Sequence, residues 1–302
     1  MLLQNEITTD DAVVGIDIGG THISAALVNL KTRALVPNSL RRRDVDSGSE
    51  ANELIRHWSE IIQEVAGTHN PKSTRIGIAM PGPFDYDEGV SMIKDQGKFK
   101  ALYGLNVKEL LAQHLTIEKN HIRMMNDAAC FLSGEVFSGA AREYDRAIGI
   151  TLGTGLGSAT YNEGETQDAG LWEHPFKASI AEDYISTRWF VRRYQEICGH
   201  QLKGVKELLG YTKTDVRAVQ IFEEFGRNLG EFLSSFVVTH KPQVIVIGGN
   251  ISHASDVFLP EVQKVLRTNA IDVPVRMTAL GENACVIGAA STWLEKHVAQ
   301  HG

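Results

Sequence analysis

The chain has 302 residues, of which 43% are hydrophobic and 22% are charged, so it is long enough for one large or two medium globular domains. Its net charge of −7 argues against nucleic acid as the main partner. The three cysteines (Cys130, Cys198 and Cys285) lie far apart, form neither a CxxC metal site nor a disulfide framework, and are typical of a cytoplasmic protein. A polar N-terminus and the lack of an apolar run of about 20 residues predict neither a signal peptide nor a membrane helix.

The predicted elements alternate between strands and helices, which indicates an α/β fold with hairpins inside its sheets. A first hairpin pairs residues 13–18 with 22–29 across a glycine turn, and a third strand is predicted over residues 35–42. Further strands are predicted over residues 75–80, 122–125, 147–152, 158–161, 243–247 and 273–279. Helical spacing of apolar residues predicts helices over residues 49–66, 107–114, 128–137, 180–198, 204–209, 216–240, 257–268 and 283–298.

The first glycine turn has the composition of a phosphate site. An apolar run leads to Asp17, and the turn that follows contains Gly19, Gly20 and Thr21. Such a turn offers backbone N–H groups to a phosphate, and Asp17 beside it could hold Mg²⁺ through water. A dinucleotide-binding GxGxxG opens a helix, so that interpretation fails because a strand follows here. On these residues alone, a tight hairpin without any ligand is an equal alternative.

Three later strands also end in polar or glycine-rich segments. Residues 122–125 are followed by Asn126 and Asp127, residues 147–152 by GTGLG, and residues 243–247 by GGN. Because ligands of open α/β sheets bind at the carboxyl ends of strands, we expect these segments to form one nucleotide site. The alternatives are that Asn126 or Asp127 caps the next helix, worth about 1 kcal/mol, and that the glycines form ordinary turns. The second glycine-turned hairpin, similar to the first, indicates an internal duplication.

Together these segments resemble the ROK family of sugar kinases and repressors, within the actin-like ATPase superfamily. The resemblance is carried by DIGGT at residues 17–21, GIAMPGPFD at 77–85, NDA at 126–128, GTGLG at 153–157, VIVIGGNIS at 244–252 and VIGAAS at 286–291. It implies two ribonuclease-H-like lobes, with ATP and a hexose in the cleft between them. The implied lobes are residues 1–122 and 123–287, with a C-terminal helix at 288–302 that packs back on the first lobe.

The resemblance also implies an activity, namely ATP- and Mg²⁺-dependent phosphorylation of a hexose hydroxyl of the glucokinase type, at the primary hydroxyl. Asp127 would be the general base, and Asp17 would hold Mg²⁺ through water. The implied nucleotide-binding residues are Asp17, Gly19, Gly20, Thr21, Gly153, Thr154, Gly155, Gly157, Gly248, Gly249 and Asn250. The implied substrate-binding residues are Gly82, Gln96, Asn126, His174 and Glu182. A homodimer without nucleic-acid or membrane partners is implied as well.

The sequence departs from the family pattern on the sugar side. The family's zinc site needs a histidine and three closely spaced cysteines, and the cysteine loop is missing, so we expect no zinc. In the sugar-binding GExGH segment, His174 matches, but Leu171 stands in the position of the glutamate. Glu173, directly before His174, could take the glutamate's role only with a shifted backbone, and Glu182 is the better candidate. Gln96 stands in for the usual asparagine of its segment.

These departures leave two alternatives open. A sugar-sensing, non-catalytic regulator would tolerate the altered sugar ligands, although the retained Asp127 counts against it. The short segment before Asp17 has no room for a DNA-binding module, which also counts against a regulator. An actin-like ATPase that acts on protein is the third hypothesis, for which the chain is short.

Overall fold

A computed structural model describes residues 12–67, 74–94 and 97–294. The chain divides into two compact units, the first comprising Met1–Gly139 with Asn283–Gly302 and the second comprising Ala140–Glu282. The lobe boundaries expected at residues 122 and 287 stay a prediction, and the compact units change over at residues 139 and 283. The helix that follows residue 126 packs within the first unit, and so does all of the last described helix.

The described residues contain fifteen strands and eight α-helices. The strands are β1 Ala12–Ile18, β2 His22–Asn29, β3 Ala34–Leu35, β4 Arg41–Asp44, β5 Ile76–Met80, β6 Phe84–Asp85, β7 Val90–Ser91, β8 Ile122–Asn126, β9 Arg146–Leu152, β10 Leu156–Asn162, β11 Glu165–Asp168, β12 Pro175–Phe176, β13 Ser179–Ile180, β14 Val244–Gly248 and β15 Val275–Met277. The helices are α1 Ala51–Ala66, α2 Val107–Leu115, α3 Asp127–Ser138, α4 Thr187–Cys198, α5 Val205–Tyr211, α6 Val216–His240, α7 Ser255–Thr268 and α8 Ala284–Ser291. None of these helices is long and apolar enough to cross a membrane.

The first unit is built on a sheet with the order β3-β2-β1-β5-β8, and β4 also pairs with β2. The hairpin β1–β2 is antiparallel, as predicted, whereas β1, β5 and β8 run parallel. The single strand predicted over residues 35–42 is wrong. The chain turns after β3, with Asn38 in a left-handed conformation at φ 61°, and only then enters β4.

Helices cover this sheet. Helix α1 buries Trp58, Ile61 and Ile62 at helical spacing, which is the apolar stripe that its sequence predicts. Helix α8 packs on β1 and β5 within the same unit. The packing is close, because a Cβ on Gly77 of β5 would lie 1.9 Å from the carbonyl oxygen of Ala289. Glycine is therefore required at residue 77 for α8 to reach the sheet.

The second unit repeats the plan of the first. Its sheet has the order β11-β10-β9-β14-β15, in which β9–β10 is an antiparallel hairpin and β14 runs parallel to β9. Its core contains the fully buried rings of Phe190, Phe222 and Phe225. The shared strand order supports the predicted internal duplication.

One predicted helix of the second unit begins later than expected. The pattern predicts a helix over residues 180–198, but α4 begins at Thr187. Before it, β12 and β13 form a short hairpin and Ala181–Asp183 forms one turn of 3₁₀-helix. The apolar and acidic spacing of this segment suits either conformation, and packing decides between them.

Candidate functional site

Three parallel strands of the first unit end at one edge of its sheet. The register pairs Asp17 of β1 with Ala79 of β5, and Met80 of β5 with Asn126 of β8. Asp17, the turn that contains Gly82, and the start of α3 therefore lie side by side. This adjacency is the arrangement that the sequence predicts for the first unit.

The two polar residues after β8 have different surroundings. Asn126 is the N-cap of α3: its Oδ1 accepts hydrogen bonds from the N–H groups of Ala128 (2.8 Å) and Ala129 (3.1 Å). The capping alternative is thus confirmed for Asn126, whose Nδ2 lies 3.4 Å from Tyr86 Oη. Asp127 is the first residue of α3, is half-buried, and accepts a hydrogen bond of 2.9 Å from the N–H of Ala128.

The thiols of Cys130 and Cys285 lie at this edge of the sheet, next to the backbone of Met125 and Asp127. Cys285 Sγ of α8 is 3.6 Å from the backbone carbonyl oxygen of Asp127. Burial raises the pKa of the Cys130 and Cys285 thiols well above the ordinary value, and the carboxylates of Asp17 and Asp127 raise both pKa values further. Both thiols therefore favour their protonated, uncharged form.

The first glycine turn has two backbone N–H groups that form no hydrogen bond with a described residue. The N–H of Gly19 closes the turn onto the carbonyl oxygen of His22 at 2.9 Å. The next two N–H groups, those of Gly20 and Thr21, make no hydrogen bond to any residue that the structure describes. Two consecutive free amides suit an anion such as a phosphate.

A lysine that the sequence patterns do not reveal lies against this turn. Lys98 is half-buried, and its Cδ is 3.5 Å from where a Cβ on Gly20 would be. The contact places the aliphatic part of a cationic side chain against this phosphate-type turn. No spacing rule connects Lys98 with Gly20, so the sequence alone carries no signal for this contact.

The second glycine turn has the same design. The N–H of Gly153 closes onto the carbonyl oxygen of Gly155 at 3.1 Å. Within the described ranges, the N–H groups of Thr154 and Gly155 make no hydrogen bond. Thr187, at the start of α4, supports the turn from below by donating both its N–H and its hydroxyl to the carbonyl oxygen of Gly153, each at 2.9 Å.

Glu182 supports the same turn. Its Oε2 accepts a 2.9 Å hydrogen bond from the N–H of Leu156, and its Oε1 forms an ion pair with the exposed Arg188. Both oxygens of the predicted sugar-binding carboxylate are thus engaged with protein groups, and its side chain is only 17% exposed. Gly157 continues the turn into β10, opposite Thr151 of β9.

The predicted nucleotide segment at residues 248–250 lies next to this turn. Gly248 pairs with Thr151 at the end of β9, and Gly249 follows at φ 83°. A Cβ on Gly249 would lie 2.4 Å from the carbonyl oxygen of Leu152, so glycine is needed for both its conformation and its closeness. Asn250 is exposed and begins the turn into α7.

The predicted acceptor segment is only partly placed as expected. His174 is exposed, whereas Leu171 packs its side chain against the core of the second unit. Glu173 is exposed beside His174. Leu171 therefore supplies no polar group where the family has a glutamate, and Gln96 lies outside the described residues.

Another positioning group that the sequence does not reveal is Lys108 of α2. Its ammonium group donates hydrogen bonds to the carbonyl oxygens of Tyr86 (3.1 Å) and Asp87 (2.6 Å), which fixes the hairpin that follows Gly82. Burial lowers the pKa of Lys108, and the nearby Lys119 lowers that pKa further.

Across the parts of the chain described, no group of three or more His, Cys, Asp or Glu side chains is arranged to hold a metal ion.

Comparisons with known proteins agree with this architecture. The sequence profile of the ROK family matches residues 13–170 and 177–296, so the match is interrupted over the segment that contains Leu171 and His174. An N-acetylgalactosamine kinase of Shewanella sp. (strain ANA-3) is 26% identical, with 91% of this chain and 94% of that protein covered.

Two solved structures show the same fold. A ROK family glucokinase of Streptomyces griseus, in complex with glucose and AMPPNP, has a TM-score of 0.74 at 22% identity and covers 93% of this chain and 98% of its own. A ROK family transcriptional regulator, homologous to the E. coli MLC protein, has a TM-score of 0.74 at 16% identity and covers 92% of this chain and 76% of its own. The predicted fold class, α/β with two lobes of the actin-like ATPase type, is confirmed.

Proposed function

The chain belongs to the ROK family, and from that membership we propose that it is an ATP-dependent sugar kinase that phosphorylates a hexose hydroxyl, the primary one. The kinase relatives support the reaction class, and they differ in their named sugars, which are N-acetylgalactosamine in one and glucose in another. The acceptor proposed here is therefore a hexose or an N-acetylated hexosamine.

Asp127 is the proposed general base. A carboxylate at the first turn of α3, half-buried and next to a strand end, can accept the proton of a sugar hydroxyl as that oxygen attacks the terminal phosphorus. Asn126 uses its Oδ1 to cap the helix, so its Nδ2 is the group that can donate to a second sugar hydroxyl.

The two glycine turns are the proposed phosphate-binding elements. Gly19, Gly20 and Thr21 contribute one turn, and Gly153, Thr154, Gly155 and Gly157 contribute the other. Preorganised N–H donors offset phosphate charge without having to reorganise, which supplies much of the catalysis in phosphoryl transfer. Asp17 is the proposed residue that holds Mg²⁺ through water, and when bound the ion would neutralise charge on the phosphate oxygens. A single carboxylate suits this ion, which binds mostly to water and phosphate.

The remaining predicted residues are proposed to hold the two substrates. Gly248, Gly249 and Asn250 would lie along the adenosine. Gly82, Gln96 and His174 would line the acceptor site. Glu182 supports the second turn through Oε2, and a sugar hydroxyl would reach its Oε1 only by displacing Arg188.

One observation carries this proposal: each unit has a glycine turn with two successive amides that no described residue uses, and Asp127 stands at the strand edge of the first. The test is ADP release from ATP and Mg²⁺ across a panel of hexoses, N-acetylhexosamines and pentoses. We expect turnover that depends on a single sugar class. If no sugar stimulates ADP release, the kinase proposal is wrong.

A sugar-sensing regulator is the second candidate, since Leu171 replaces an acceptor ligand and the similar regulator has the same fold. A gel shift with the DNA upstream of its own gene, relieved by sugar and unaccompanied by ADP release, would favour it.

We further propose a cytoplasmic homodimer. The free thiols of Cys130, Cys198 and Cys285 support a reducing compartment. The subunit number rests on the family resemblance, and sedimentation of the purified chain measures it directly.

A further inference from the structure

The hairpin β12–β13, whose strands have two residues each, lies between His174 and the 3₁₀ turn that contains Glu182. His174 directly precedes β12, and its carbonyl oxygen accepts a 2.9 Å hydrogen bond from the N–H of Ala181, directly after β13. A hairpin with strands this short is not stable by itself, so something else must hold it.

The tip of this hairpin is fixed by Lys177. Its ammonium group donates a 2.6 Å hydrogen bond to Oδ1 of Asn228, which is 3% exposed on α6, and lies 3.0 Å from Oε2 of Glu231 on the same helix. The ammonium group also lies over two aromatic rings, 5.4 Å from the centroid of Phe176 and 5.9 Å from that of Tyr184. One cation thus joins the turn of the hairpin to α6 and also lies against Tyr184, which follows the hairpin.

The backbone at this residue points to the same role. Lys177 adopts φ 54°, a conformation that glycine enters without steric cost and that a lysine enters only at a cost. A glycine at residue 177 would fit this conformation but would lose the contacts of the lysine side chain.

We infer that Lys177 is a positioning residue, whose ammonium group ties β12–β13 to Asn228 and Glu231 of α6 and thereby fixes His174 for the sugar acceptor. The inference rests on the proposed kinase function for its effect on the acceptor, but the anchoring itself does not depend on that function.

The test is Lys177→Gly in the full chain, which removes the ammonium group and relieves the φ. Lys241→Gly is the matched control, because Lys241 ends α6 in the same unit at φ 47°. We expect amide hydrogen exchange over residues 171–185 to speed up about tenfold in Lys177→Gly and to stay unchanged in Lys241→Gly. We also expect the KM for sugar to rise about tenfold, with the KM for ATP within about twofold of the wild type.

The outcomes separate the two proposals. Unchanged or slower exchange in Lys177→Gly overturns the anchoring role of Lys177, because the turn geometry and the packing of Phe176 against Phe232 would then hold the hairpin. Faster exchange with an unchanged sugar KM overturns the positioning role and leaves the kinase proposal intact. If the wild type phosphorylates no sugar, the kinase proposal fails, and the exchange measurement still decides whether Lys177 anchors the hairpin.

Discussion

Asn126 has two roles in this account, and a pair of substitutions separates them. Its Oδ1 caps α3 through two hydrogen bonds, and its Nδ2 is the proposed donor to the sugar. Asn126→Ala removes both groups. Asn126→Asp keeps an oxygen at the cap position, where aspartate is as favourable as asparagine, but it removes the N–H donor and adds a carboxylate next to Asp127.

The expected magnitudes follow from these contacts. Loss of a buried cap costs about 1.5 kcal/mol, which lowers the Tm by about 3–6 °C in a protein unit of this size. Asn126→Ala should therefore melt lower, whereas Asn126→Asp should melt within about 1 °C of the wild type. Both variants should lose at least about tenfold in kcat/KM for the sugar, because a hydrogen bond worth about 1.5 kcal/mol is absent.

Differential scanning calorimetry and sugar-dependent ADP release measure the two effects. The control is Asn106, which caps α2 by accepting a 2.9 Å hydrogen bond from the N–H of Glu109. Asn106→Ala should lower the Tm and leave the KM for sugar unchanged. If Asn126→Asp keeps full kcat/KM, Asn126 is only a cap, and if Asn126→Ala keeps the wild-type Tm, the capping argument is wrong.

Three further predictions concern the other elements of the site. Lys98→Ala should raise the KM for ATP about tenfold with the KM for sugar unchanged, since its stem lies against the Gly20 turn; equal effects on both substrates would contradict a phosphate role. Gly249→Ala should destabilise the second unit by more than about 2 kcal/mol in urea unfolding, because its Cβ would meet the Leu152 carbonyl oxygen at 2.4 Å and its φ is 83°; a wild-type midpoint would refute this. A strong zinc chelator should leave activity and Tm unchanged in the presence of excess Mg²⁺, and a lowered Tm would reveal a zinc site.

The strand–turn–strand hairpins and the longest helix were predictable from local pattern. The bounds of α6 match the prediction at both ends, because Asp215 caps its start and its apolar residues recur at helical spacing. The first hairpin is equally local, since β1 and β2 face each other across the glycine turn. Hydrophobic periodicity and turn-forming residues are local features of the chain, so a single sequence is enough to predict the elements that depend on them.

The features that the sequence did not reveal depend on distant contacts. Lys177, in the turn of β12–β13, contacts Asn228, 51 positions along the chain. Local apolar spacing does not include that contact, and by itself it also suits the start of α4. The sequence predicts Glu182 as a sugar ligand and does not reveal that the N–H of Leu156 and the guanidinium of Arg188 contact its carboxylate. Lys98 contacts the turn at Gly20 because two loops pack together, and no sequence motif predicts that contact.

In the proposed reaction, the carboxylate of Asp127 accepts the proton of the sugar hydroxyl during phosphoryl transfer. Asp127→Asn tests it most directly, because the amide oxygen can still accept the hydrogen bond from the N–H of Ala128 while the base is lost. We expect a kcat at least about a hundredfold lower, with sugar binding and Tm near the wild type. A kcat within about tenfold of the wild type would contradict it.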